Sequence, residues 1–146
     1  MPPDERMDVD AQLELLNEAL RLQHRSVLHY SVTAGSVIGL EYQAHAERMR
    51  AHARAELADA TRLVEKITAL GGEPTTQVAP LSFNLDPAAA LDRLVEAAGQ
   101  ALEALQAAIE PTGREAASEA VEHRLEHMIM RKQEQVDYLL RARRRP

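Results

Sequence analysis

From residue 13 to residue 37, apolar side chains recur every three or four positions: Leu13, Leu16, Leu20, then Val27, Tyr30, Ala34 and Val37, with Gln23 in the middle of the series. That spacing places them on one face of a helix turning roughly 100° per residue. A second series runs Tyr42, His45, Met49, His52, Glu56, Asp59, Leu63, Ile67, Leu70, and a third runs Leu91, Val95, Ala98, Leu102, Leu105, Ile109. A fourth runs Val121, Leu125, Met128, Lys132, Gln135, Leu139. Four amphipathic helices follow, over about 10–36, 40–70, 87–110 and 114–143.

The breaks between these series carry helix-ending chemistry. Gly71-Gly72 closes the second helix, because glycine accepts the left-handed turn after a last helical residue. Asp86-Pro87 opens the third, with a capping carboxylate and a residue whose missing amide hydrogen costs nothing at the first helical position. Asp8 or Asp10 can cap the first helix, and Pro111-Thr112-Gly113 separates the third from the fourth. Short turns inside each pair predict two antiparallel hairpins. The segment 72–85, with Pro74, Pro80 and no helical period, is long enough to cross the length of a bundle. The fold class is therefore all-α: one domain over 1–146, an antiparallel four-helix bundle of two hairpins joined by a long crossover.

Composition agrees and removes several chemistries. Aromatics make up 3% of the 146 residues and tryptophan is absent, leaving mostly good helix formers. With no cysteine there can be no disulfide, thiolate nucleophile or iron–sulfur cluster, so any metal must be held by His, Glu or Asp. The net charge of −6 argues against a general nucleic-acid surface, and the Arg-rich end Arg141-Ala142-Arg143-Arg144-Arg145-Pro146 is the one candidate contact of that kind. The opening MPPDERMDVDAQ lacks the apolar core of a signal peptide, and no apolar run is long enough to span a membrane. A soluble, cytoplasmic protein is expected.

Polar groups at core positions are the distinctive feature. Gln23, His52, Glu56, Asp59, Lys132 and Gln135 fall on buried stripes of three helices, and unpaired burial would cost several kcal/mol for each, against a total stability of about 5–15 kcal/mol. They are expected to meet in one inward cluster.

The stretches LNEALRLQHRSVLHY, AELADATRLVEKITALGGEP and KQEQVDYLL resemble the first, second and last helices of the bacterioferritins, and more distantly the mini-ferritins of starvation protection. This ferritin-like resemblance implies a role in iron homeostasis and a centre built from one Glu on each of two helices and a Glu-x-x-His on each of the other two. Carried onto this chain, those positions read Gln23, Glu56 with Asp59, Ala98 or Gly99, and Lys132 with Gln135. Only Glu56 is retained, and a lysine ammonium has no lone pair for a metal.

The resemblance therefore implies a degenerate di-iron site without conventional ferroxidase activity. Lys132 would offset the charge of Glu56 and Asp59, with the amides of Gln23 and Gln135 donating to the same carboxylates, and no cofactor would be held. The alternative is a single transition ion, iron or zinc, on His52, Glu56 and Asp59. The haem-ligating methionine of bacterioferritins falls at Leu57, so haem is not expected, and of the mini-ferritin intersubunit ligands Glu65 matches while Thr61 replaces an aspartate. His123 and His127 have a spacing that can hold zinc or nickel, His45 is expected at a half-buried rim, and His24 and His29 at the surface or a subunit contact. A homo-oligomer, dimer or larger, is implied. The short fifth helix that lines the fourfold axis of bacterioferritin cages has no counterpart in this sequence.

Overall fold

The computed structural model describes residues 6–143. Its helices are α1 (Val9–Ser36), α2 (Gln43–Ala69), α3 (Pro87–Ile109) and α4 (Ala116–Arg143), forming a four-helix bundle. The α1–α2 and α3–α4 pairs are hairpins; α1 also lies along α3, and α2 meets α4 more sparsely across the bundle.

Each boundary has a local cause. The Asp8 carboxylate accepts the Ala11 amide at 3.1 Å to start α1, and Asp86 does the same for Ala89 at 3.0 Å ahead of Pro87. At the end of α2, Gly71 takes φ 82° while its amide and that of Gly72 bond back to the carbonyls of Thr68 and Ile67. Gly72 also lies so close to the Leu13 side chain that any Cβ there would collide with it. The second helix begins later than its apolar series: Gly39, at φ 109°, leads into a single 3-10 turn over Leu40–Tyr42, and α2 proper starts at Gln43.

The crossover carries no regular secondary structure, yet it is tied to α1 along its length. Asn17 donates to the Glu73 carbonyl and accepts from the Thr75 amide, Ala79 donates to the Arg21 carbonyl, and Arg25 reaches the Pro80 carbonyl.

Among the described residues two larger apolar clusters fill the bundle, and a small third, Leu22, Ala79 and Ala101, seats the crossover against α1 and α3. Leu16, Leu20, Leu63, Ile67, Leu105, Leu125 and Met128 form the first, and Tyr30, Met49, Leu91, Leu94 and Leu139 the second. Between these two, at the level of Gln23, Glu56 and Lys132, the interior is polar. On α3 the small side chain of Ala98 is buried, leaving room for the polar residues of the other helices. Among the described residues no helix is long and apolar enough to cross a membrane.

Candidate functional site

The Glu56 carboxylate is the hub of this polar layer. One oxygen accepts the Lys132 ammonium at 2.7 Å and the Ser26 hydroxyl at 3.1 Å; the other accepts the Gln23 amide, which also donates to the Glu56 backbone carbonyl at 2.9 Å. The Lys132 and Glu56 side chains are each 2% exposed. A buried ion pair is tolerated when its geometry is good and further hydrogen bonds occupy the remaining lone pairs, as Gln23 and Ser26 do here.

Asp59 and Gln135 sit close to this pair but find other partners. Asp59, expected to share Lys132, accepts instead from Arg131 through two nitrogens and from Arg62 at 2.9 Å. Three residues past Glu56, it is rotated some 60° around α2, and its short side chain meets the guanidinium groups at the bundle rim. Gln135 does not donate to a carboxylate; its amide oxygen accepts the Tyr30 hydroxyl at 3.2 Å. Burial, then the charge of Glu56, raises the Tyr30 phenol well above its ordinary range.

His52 stands one α2 turn before Glu56, with its ring edge-on to Tyr30 at 5.2 Å and to Tyr138 at 5.7 Å. Its Nε2 is buried with no partner, and burial, then the nearby Arg48 charge, lowers its pKa to about 4. Among the described residues no three His, Asp or Glu side chains are grouped to hold a metal ion. The trio His52, Glu56 and Asp59 is thus not drawn together: the two carboxylates are turned to their cationic partners and the imidazole lies edge-on between two tyrosines.

The remaining histidines divide. His45 is half-buried against Tyr138, and His24 is half-buried beside the Gln77 carbonyl. On the surface of α4 the Nε2 atoms of His123 and His127 lie 3.1 Å apart. His29 departs from its expected surface position: it is 2% exposed, both ring nitrogens lack partners, and burial, then Arg25, lowers its pKa to about 4. Reading α1 as a single stripe missed this second buried face of Arg25, His29 and Thr33, whose four-residue spacing is visible in the sequence. It missed Gln12 as well, which continues the Leu16 stripe by one turn and donates to the Ala108 carbonyl at 2.6 Å.

The sequence profile of the ferritin-like domain matches residues 13–142. This chain belongs to the ferritin-like family. No curated protein matches it in sequence. In structure, the ferritin-like chain is similar to ferritin-like, diiron-carboxylate proteins from Bacillus anthracis str. Ames, at 24% identity and TM-score 0.86 over 99% of this chain and 100% of that one. It is also similar to a Rhodobacter capsulatus bacterioferritin with a metal-free dinuclear site and haem iron, at 21% identity and TM-score 0.78 over 92% and 83%. A third likeness is to a dodecameric thioferritin, the bacterioferritin-related protein of Bacteroides fragilis, at 19% identity and TM-score 0.84 over 94% and 86%.

The dinuclear centre that this family implies does not fit the residues present. The polar layer of this ferritin-like bundle offers one carboxylate already bonded to an ammonium, two neutral amides and the hydroxyls of Ser26 and Tyr30. Two adjacent cations require several anionic or imidazole donors.

Proposed function

We propose that this ferritin-like protein is an assembly-forming or accessory subunit in iron homeostasis, whose interior is held by a salt bridge where relatives carry a di-iron centre. The observation that carries this reading is the Lys132–Glu56 pair, 2.7 Å apart at the middle of the bundle. A fixed ammonium repels a metal cation and occupies the carboxylate it would need. Conventional ferrous oxidation has no centre on these residues.

The surface supports the assembly part. Between α1, α2 and the crossover lies an apolar groove of about 730 Å³, lined by Val27, Leu28, Leu57, Val64, Pro74 and Val78. Leu57 is 56% exposed there, and Leu28 and Val78 are exposed beside it. Contiguous apolar surface of this kind marks contact sites. A second copy of the chain is the proposed occupant, in a cytoplasmic homo-oligomer.

The test combines metal analysis of the purified protein, a ferrous-oxidation assay under air and light-scattering mass. The reading expects no iron retained in stoichiometric amount, oxidation no faster than in protein-free buffer, and a mass above the monomer. Two iron ions per chain with saturable oxidation would overturn it, and one tightly held ion per chain would favour a non-standard site that includes His52.

A further inference from the structure

On the surface where α2 meets α4, bordering the polar layer at Gln135, a cleft of about 290 Å³ is lined by Arg48 and His52 from α2 and by Arg131, Glu134, Tyr138 and Arg141 from α4. The α4 residues recur at three- and four-residue intervals and so share one face of that helix. Counting Glu134 in the lining and Asp59 bonded to Arg131, three guanidinium groups meet two carboxylates, which leaves the site cationic on a chain whose net charge is −6. We propose that the cleft binds a phosphoryl oxyanion, as inorganic phosphate or as the head of a small phosphomonoester.

Arg131 and Arg48 are held in place before any ligand arrives. Arg131 is fixed by Asp59 through its Nε and one terminal nitrogen, and its other terminal nitrogen still has N–H groups to donate. Arg48 lies over the Tyr138 ring, 4.8 Å from its centre. That contact, with a hydrogen bond to the Tyr138 hydroxyl, restrains a long side chain whose five N–H groups exceed what the one hydroxyl can accept. Arg141 is exposed and forms no salt bridge among the described residues. At the inner edge of the cleft, the Nε2 of His52 is buried without a partner. In the tautomer that carries its proton on Nε2, this ring nitrogen would donate to a ligand oxygen that reaches it.

The arrangement selects the ligand class. A planar carboxylate presents two oxygens in one plane and suits a single guanidinium fork, whereas a tetrahedral oxyanion presents three or four acceptors in different directions. Guanidinium groups arriving from two helices, with an imidazole beneath them, match the second geometry. The volume exceeds that of a lone phosphate, leaving space for ordered water or a small organic body beside Tyr138. None of these groups is the Lys132–Glu56 pair, so the proposal stands apart from the reading of the bundle interior.

Calorimetric titration of the full chain at low ionic strength, first with inorganic phosphate and then with adenosine monophosphate, tests it. One saturable site per chain is expected for at least one probe. Arg48→Gln and Arg141→Gln, at exposed positions, are each expected to weaken binding by about tenfold, equal to about 1.4 kcal/mol. Their melting temperatures should match the parent's. Tighter binding of the monophosphate names a phosphomonoester as the ligand; equal or weaker binding names free phosphate. Absence of saturable heat with both probes, or a double variant that binds as the parent does, would overturn the proposal.

Discussion

The ammonium of Lys132 on α4 reaches across the bundle to the carboxylate of Glu56 on α2, joining two helices that otherwise meet only sparsely. Removing one partner strands a charge in the interior, while removing both leaves a shape that apolar groups can fill. Lys132→Met is therefore expected to cost roughly 3–5 kcal/mol in urea unfolding at neutral pH, and Glu56→Gln combined with Lys132→Met to recover most of that loss. A single variant as stable as the parent would show that the pair is not buried in solution.

Asp59 differs because its arginine partners reach water, with side chains 30% and 40% exposed. Asp59→Asn lets both guanidinium groups return to solvent, so the expected loss is about 1–3 kcal/mol, smaller than for Lys132→Met. Parallel denaturation curves of the two variants check the order.

The imidazoles of buried His29 and half-buried His52 make stability depend on pH. Both His29 and His52 have folded pKa values lowered to about 4 from an ordinary 6.5, so between those limits the unfolded chain binds more protons than the folded one. Their contribution is present above pH 6.5 and is lost as pH falls toward 4, by at most about 1.4 kcal/mol per pH unit for each histidine. His29→Phe is expected to flatten the melting-temperature profile in that window and leave the slope above pH 7 unchanged. An unaltered acid limb would remove His29 from the account.

In the apolar groove, Leu57 is the most exposed of the lining leucines. If a second copy covers it, Leu57→Glu replaces roughly 1.5–3 kcal/mol of apolar burial with a desolvated charge. Sedimentation velocity at micromolar protein should show a dissociation constant raised by roughly a hundredfold or more. Unchanged sedimentation would place the contact elsewhere.

The elements were legible in the sequence because cap and stop chemistry coincide with the ends of the apolar series, as at Asp86-Pro87 and Gly71-Gly72. The polar layer was legible in part. Gln23, Glu56 and Lys132 interrupt apolar stripes at matching depths, and in the structure they meet. Periodicity reports which face a residue occupies but not which neighbour its side chain reaches. Asp59 was assigned to Lys132 although Arg131, one position earlier on α4, lies on the side toward which Asp59 is rotated. The buried Arg25 and His29 face α3 and the crossover, a second neighbour that a one-stripe reading of α1 leaves out. Of the Arg-rich end, Arg143 binds Asp92 at 2.8 Å, while Arg144, Arg145 and Pro146 lie outside the described residues.

The ladder of bonds from the crossover to α1 has a topological consequence. Leucine-rich faces are forgiving, and a hairpin of α3 and α4 could bury comparable apolar area if inserted upside down. A slack tether would permit both arrangements. Bonds at Asn17, Arg21 and Arg25 instead lead the chain along α1 in one direction, delivering Asp86 to one end of the bundle. The strap thereby selects one polarity for the second hairpin, and with it the depth at which Lys132 finds Glu56.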